Sequence, residues 1–410
     1  MTDTETPAAA TSGALPYDPW DPGFHADPYA VFRRIREESG SIVPTQAGVA
    51  LLGFSEISAA LADPKLGRGN GIGAMEGMMP TDEGPRRAFM FMDPPDHTRI
   101  RSLVSKSFTP RLVERIRPKA HQFAEELIKQ VCEQAAGGVV DLAPAVFRPL
   151  GAYVMNTLMG VPDEHLEKSI ELATDGGRGL DPEYSMPQEA IDARNRLRTG
   201  MADVGREMIA LRRKEPADDL MSELVVAEKD GQRLTETEVL TTAMNIMLPG
   251  FSAPQAMMGL AAFALLRHPD QLAWFRANPD KAVASVEELL RFDTAVQIVS
   301  RTALADAEIG GVAVAEGSEV FMLLGAGHRD PAVYDDPDRL DLARPASRNL
   351  GFGHGIHFCV AAPVARLVSQ VVLTALVRRD ITLATDEPRT NGALAIRSLA
   401  ELPVVLGAVR

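Results

Sequence analysis

The stretch that most constrains this chain begins at Thr235. Thr235 stands three residues before Glu238, the spacing of a capping box, and Leu234 and Val239 are placed as a hydrophobic staple. From there an apolar pattern continues to about Leu266, a very long helix for a globular protein. Pro249 and Pro254 lie inside it. Pro249 offers no N–H to the carbonyl of Asn245, and Pro254 none to that of Gly250. Each ring also crowds the carbonyl four residues back, at a cost of about 3 kcal/mol or more in a helix interior. The helix is therefore expected to be kinked or locally opened, with the freed carbonyls satisfied by water or a ligand. Strain in such a place points to function more readily than to neglect, a purely structural kink being the other reading.

Helical signals dominate elsewhere too. Residues 28–38 are amphipathic, and the alternation around 42–52 reads as a short hairpin. Residues 67–96 form a long Gly/Met/Pro-rich loop, a length used for lids or disordered excursions. Helices are expected over 118–132, opened by Pro118, and over 190–213 and 281–292. Strand-like pieces follow between 300 and 324, with turns at Gly310-Gly311 and Glu316-Gly317. Residues 330–348 are Asp/Pro/Arg-rich and irregular, a helix covers 359–379, and the end returns to short strands. This is the pattern of a mainly α fold with small β-sheets. With no repeat or interdomain linker, residues 18–410 read as one domain behind a disordered tail, 1–17.

The chain has 410 residues, 45% hydrophobic and 24% charged, which allows a substantial core. A formal net charge of -14 argues against nucleic acid or an anionic membrane surface as main partner. Two cysteines, Cys132 and Cys359, cannot supply a disulfide framework and fit a reducing compartment. The first residues lack the basic and apolar regions of a signal peptide. The longest clean apolar run, 256–266, is too short to span a bilayer. A cytoplasmic location without membrane association is expected.

The strongest chemical signal is Phe352-Gly353-His354-Gly355-Ile356-His357-Phe358-Cys359, followed by Ala365-Arg366. The glycines let the backbone turn tightly and approach a flat ligand. Cys359 is expected at the start of a helix, where the dipole and free N–H groups favour a thiolate. With no second cysteine or clustered histidine nearby it cannot make the usual zinc site. It can be the single axial ligand of a haem, pushing electron density that favours O–O cleavage. Cys132, on an amphipathic pattern, reads as core.

This segment resembles the haem-binding motif of the cytochrome P-450 family, F-G-x-G-x-H-x-C-x-G-x-x-x-A-R. It departs where the usual glycine is Ala361. Glu288-Leu289-Leu290-Arg291, followed by Phe292, resembles the family's E-x-x-R, whose i, i+3 spacing lets the charges pair. The resemblance implies that Arg344 joins that pair in a structural role. The stretch from Met92 to Arg101 resembles D-P-P-x-H-x-x-x-R, in which His97 and Arg101 share a helix face and can meet a haem propionate. Arg301 and His357 match the other propionate-binding positions, and Phe352 and Ala365 further cofactor-binding ones. His328-Arg329-Asp330-Pro331 resembles N-R-D-P, with histidine replacing asparagine. The resemblance runs from about Asp18 to the C-terminus and implies a soluble bacterial-type enzyme, a triangular helical prism around haem b.

It also implies that the helix from Thr235 crosses the distal face of the haem. There the family carries A-G-x-D/E-T, an acid and an alcohol that relay protons to dioxygen. Here Gly250 is kept, Ser252 stands for the acid, Ala253 for the alcohol, and Pro254 follows, so no side chain is ionisable. Three mechanisms fit. A substrate hydroxyl, amide or carboxylate completes the relay with water; or the reaction ends in coupling, desaturation or rearrangement; or hydrogen peroxide supplies the oxygen. The last is weakened because peroxide-using members carry an arginine before the proline, where this chain has Ala253. A haem-binding protein without oxygenase turnover is the reading from another class.

By the same resemblance the substrate pocket is walled by residues 67–96, 244–253, 295–299 and 393–398. These contribute Met75, Met78, Met79, Phe89, Met244, Asn245, Leu248, Val296, Gln297, Ile298, Leu394 and Ile396, a surface for a hydrophobic small molecule, with Arg397 its one cation. Residues 99–119 carry seven basic residues (Arg99, Arg101, Lys106, Arg111, Arg115, Arg117, Lys119) against Glu114. In the family that region borders the face where an acidic ferredoxin delivers electrons. The expected activity is that of a monooxygenase of secondary metabolism.

Overall fold

Thr235 caps the long helix as its spacing requires. Its hydroxyl accepts the Glu238 N–H at 3.2 Å, and the Glu238 carboxylate accepts the Thr235 N–H at 2.9 Å. The helix then runs from Glu236 to Leu266 through both prolines. It is helical throughout, so the expected local opening does not appear. Helices Arg148–Met159, Gln188–Lys214, Ala282–Phe292 and Ala362–Val377 pack around it. Nearly every residue from Val239 to Leu265 is buried. Packing of this extent outweighs two proline penalties. By length and composition alone this helix is long and apolar enough to cross a membrane, against the expectation drawn from its shorter apolar run. However, 72% of its most apolar window is buried inside the fold.

A computed structural model describes residues 15–69, 78–175, 181, 186–229, 231–345 and 349–409. Three expectations change. Tyr17, counted with the N-terminal tail, stacks on Phe24 with ring centres 4.4 Å apart and meets the edge of Phe32, so apolar contact orders the chain before Asp18. The helix expected to open at Pro118 instead runs Pro110–Ala135, because the Thr109 side chain accepts the Leu112 N–H and Pro110 fills the first turn. The last long helix starts at Ala362, leaving Cys359 in the loop before it.

The hairpin Ile42–Thr45 and Gly48–Leu51 enters a five-stranded sheet. In it, strand Glu319–Leu323 runs parallel to Gly48–Leu51 and antiparallel to Ile298–Ala303, whose far edge pairs with Leu66–Gly67. A three-stranded sheet joins Val139–Asp141, Pro403–Val409 and Arg379–Leu383.

The segment 330–345 has no regular structure, yet it is held by one buried knot. Arg291 donates to both oxygens of Glu288 at 2.7 and 2.9 Å and to the carbonyls of His328, Pro337 and Arg339. Arg344 reaches the same carboxylate at 3.2 Å. His328, fully buried, accepts the Leu350 N–H on Nε2 at 2.7 Å, so the ring is neutral. Burial first, then Arg291 and Arg329, push its pKa down to about 3. The unfolded histidine titrates near ~6.5, so the unfolded chain binds more protons between the two values. The contribution of His328 to stability is whole above about pH 6.5 and is lost as pH falls toward about 3. Urea unfolding of the wild type and of His328→Gln at a series of pH values checks this. The wild type should lose stability more steeply below about pH 6.5; parallel pH profiles would contradict it.

Candidate functional site

The segment from Phe352 to Cys359 doubles back on itself. Gly353 and Gly355 take φ values of 73° and 69°, the left-handed region that favours glycine. At Gly355 a Cβ would lie 2.5 Å from the Leu61 carbonyl, so the close approach is to the end of helix Phe54–Ala62. The Cys359 N–H returns to the Phe352 carbonyl at 2.9 Å, fixing the cysteine relative to a buried ring. The Arg366 guanidinium covers that ring at 4.3 Å and pairs with Glu287. Ala365, buried, donates its N–H to the Ala361 carbonyl at 3.1 Å.

Burial pushes the Cys359 thiol up, while hydrogen bonds from the Ala361 and Ala362 N–H groups and the charges of Arg101 and Arg366 pull it down. The free N–H groups expected from a helix start are therefore supplied, although the cysteine lies three residues before that helix. Ala361 itself has φ -90° and ψ 7°, open to any residue, which explains how alanine stands in for the family's glycine.

Beside this loop the structure gathers the histidines and arginines named from sequence. His97, on helix Asp96–Ser107, lies 4.2 Å from His357 ring to ring. Among the described residues neither nitrogen of His97 has a hydrogen-bond partner, nor has Nε2 of His357, although all three are buried. Arg101 donates to the Phe358 carbonyl at 2.5 Å, and Arg301 to the Ser300 carbonyl at 2.8 Å. Burial, reinforced by the arginines, drives the His97 pKa to about 4 and that of His357 to about 2; burial alone brings Arg301 down to about 10 against the pull of Asp93. Arg68, which no motif singled out, joins them: its Nε is buried and unpaired, and its charge acts on both histidines. Buried donors and cations without acceptors call for an anion. A flat group bearing carboxylates and able to take a cysteine ligand fits that donor set. Among the described residues no cluster of three or more His, Cys, Asp or Glu holds a metal by itself.

Asn245, Leu248, Pro249, Ser252 and Ala253 occupy one side of the long helix, at about 100° per residue. Asn245 Oδ1 accepts the Met90 N–H at 3.3 Å, and the Ser252 hydroxyl points back to the Leu248 carbonyl at 3.5 Å. Pro249 and Ala253 are the partly open positions on that side of a helix otherwise enclosed there. Gly250 faces another way: a Cβ there would lie 2.6 Å from Met155 Cε, so its smallness serves helix packing.

The pocket candidates divide. Val296 and Ile396 bridge their two segments, and Met78, Val296 and Ile298 are partly open. Phe89 is buried 6.5 Å from the His97 ring, and Leu394 is held by the buried Asp181, whose carboxylate accepts the N–H groups of Leu394 and Ala395. Met79 and Met244 are enclosed in the core. The Gln297 amide nitrogen is turned to the Thr294 carbonyl and Tyr29, while its Oε1 is buried without a hydrogen-bond partner among the described residues, and Arg397 is paired with Asp293. Met75 lies outside the described residues.

A model of the family described as cytochrome P450 matches residues 183–383. The 6-deoxyerythronolide B hydroxylase of Saccharopolyspora erythraea is 33% identical over 93% of this chain and 97% of its own. The nocardicin C N-oxygenase of Nocardia uniformis is 34% identical over 85% and 87%. Among solved structures, the cytochrome P-450 enzyme CxnD, for C–S bond formation in chuangxinmycin biosynthesis, matches with TM-score 0.80, 29% identity and coverage of 94% and 95%. The chain belongs to the cytochrome P-450 family and is an oxidoreductase of the haem-iron monooxygenase kind.

The geometry at Ala361 carries a prediction. Ala361→Gly should leave the absorption spectrum of the haem-loaded protein unchanged and shift stability by less than about 1 kcal/mol, because Ala361 is the N-cap of helix Ala362–Val377, a position that accepts glycine. A displaced Soret band would show that the alanine shapes the site itself.

Proposed function

We propose that this chain is a haem-thiolate monooxygenase of secondary metabolism that holds haem b through Cys359. It oxidises a hydrophobic small molecule whose own polar group, with water, completes proton delivery. The observation that carries this reading is the side of the long helix formed by Asn245, Pro249, Ser252 and Ala253, which has no ionisable group. When bound through a cysteine thiolate, haem supplies reductive activation of dioxygen.

The chain's own residues divide the remaining work. The Ala361 and Ala362 N–H groups take up charge at the Cys359 sulfur. His97 and His357, whose buried ring nitrogens have no hydrogen-bond partner among the described residues, hold the propionates together with the guanidinium groups of Arg101 and Arg301. The Ser252 hydroxyl, 3.5 Å from the Leu248 carbonyl, has no ionisable group beside it on this side of the helix from which to draw a proton. Ala253 adds nothing to a relay, so the missing group has to arrive with the substrate or as water. Relatives whose names state hydroxylation, N-oxygenation and C–S bond formation make insertion and non-hydroxylating outcomes equally available to this fold. Arg397 is already paired, which favours a neutral substrate.

Electron delivery fits an acidic ferredoxin at the surface beside Cys359. Of the seven basic residues in 99–119, Arg99, Arg115 and Arg117 are paired to Glu238, Asp218 and Glu114, and Arg101 is turned to Phe358. Lys106, Arg111 and Lys119 are exposed, and the loop adds Ile356 and Phe358, 52% and 38% exposed.

Two measurements test these readings. Ala253→Thr restores the family's alcohol: a small gain in turnover is expected, whereas a large gain with coupling unchanged would argue that the substrate was not helping. Ferredoxin-dependent reduction should slow steeply with added salt, and more weakly in a Lys106→Ala/Arg111→Ala/Lys119→Ala variant. A rate insensitive to salt would remove the docking assignment.

A further inference from the structure

Arg68 is placed with care, and its guanidinium has no hydrogen-bond acceptor among the described residues. It follows the short strand Leu66–Gly67, whose pairing with Thr302 and Ala303 sets it beside Arg301. Asp93 fixes its backbone from the other side, accepting the N–H groups of Arg68 and Gly69 at 2.8 and 2.9 Å. The Thr302 hydroxyl oxygen lies 3.4 Å from the Arg68 carbonyl, and the guanidinium lies over the Phe91 ring at 5.2 Å. Yet none of its guanidinium nitrogens meets an acceptor among the described residues, and Nε is enclosed.

The nearby carboxylates do not answer it. Both Asp93 oxygens are taken by backbone N–H groups; Glu319 Oε1 accepts the Thr302 hydroxyl at 2.9 Å, and its Oε2, buried, makes no hydrogen bond to the Arg68 guanidinium. Burial and then Arg301 lower the proton affinity of Arg68 well below the ordinary arginine range, with Asp93 and Glu319 opposing. Its charge reaches His97 and His357, so Arg68 belongs to the same positive wall. Arg101 and Arg301 each spend a guanidinium N–H on a backbone carbonyl, whereas Arg68 keeps its whole fork of five donors.

We propose that Arg68 is a third guanidinium of the propionate cradle, donating charge-assisted hydrogen bonds to a haem carboxylate beside Arg101 and Arg301. This rests on the haem-thiolate reading above. A carboxylate of the substrate is the competing occupant; the company of Arg301, His97 and His357 favours the propionate.

The test uses the haem-loaded protein and reads haem transfer to apomyoglobin together with the haem midpoint potential. Arg68→Gln should release haem on the order of tenfold faster. Its potential should fall, because losing a cation favours the oxidised state, while the far-UV circular dichroism stays that of the wild type. Arg68→Lys, which keeps the charge but not the fork, should hold the potential and recover part of the retention. Arg87→Gln alters a neighbouring arginine that donates to the Gly69 carbonyl, and should leave both readouts near wild type. Equal haem loss in Arg87→Gln would overturn the proposal in favour of a loop effect. Unchanged haem retention and potential in Arg68→Gln, with weakened binding of palmitate, would overturn it in favour of a substrate carboxylate. A wild type whose reduced form shows no Soret shift with carbon monoxide would overturn the parent reading and this one together.

Discussion

The pair Glu288–Arg291 is the fixed point from which the loop of Cys359 is hung. Arg291 has five N–H donors, and five hydrogen bonds leave it: two to Glu288 and three to the carbonyls of His328, Pro337 and Arg339. Taking such charges out of water is costly, and a buried pair adds little net stability against an apolar replacement. What it contributes is geometry. The carbonyl of His328 is held by Arg291, the ring of His328 holds the Leu350 N–H, and Leu350 accepts from Gly353. Phe352 then receives the Cys359 N–H. An irregular segment with few ladders of its own thereby presents one sulfur in one place. Histidine at 328 serves this chain where asparagine is usual because a neutral imidazole also accepts a backbone N–H.

The two walls of the site differ in electrostatic character. One concentrates Arg68, Arg101, Arg301 and two unpaired histidines in surroundings that penalise charge. By itself that wall is frustrated: burial and mutual repulsion oppose the ionised forms. An anion relieves both at once, so under the proposed function cofactor retention and the folding of this wall would be one energetic problem. The other wall, the long helix, is apolar with a few short polar groups already turned to backbone partners.

How much of this was legible from the sequence follows from how local each signal was. The capping box, the E-x-x-R pair and the loop from Phe352 to Cys359 depend on residues a few positions apart, and all three stand where spacing put them. Pro118 misled because proline suits a first turn, while the stronger start, Thr109 with Pro110, lay eight residues earlier. The engagement of Gln297 with Tyr29 and of Arg397 with Asp293 was not legible because those partners lie 268 and 104 residues away. Arg68 was invisible for the same reason: only the pairing of Leu66–Gly67 with Ile298–Ala303 brings it to Arg301. The pairing of Glu288 with Arg344 was legible only through resemblance, since 56 residues separate them.

The long helix shows where local rules give way. Two prolines predict an opened helix, yet the element continues, because burial along almost its whole length outweighs what two missing hydrogen bonds cost. The carbonyls of Asn245 and Gly250 still lack their helical donors, since proline has no N–H to give. The side chains nearby do not replace them: Asn245 accepts from Met90, and the Ser252 hydroxyl turns to Leu248. That stretch is therefore rich in acceptors and poor in protons. Under the proposed function, a substrate bearing a hydroxyl or amide would meet acceptors that orient it, and its own proton would be the nearest mobile one. The prolines and the lost acid–alcohol pair then belong to a single arrangement, in which the helix positions a donor that it does not itself contain.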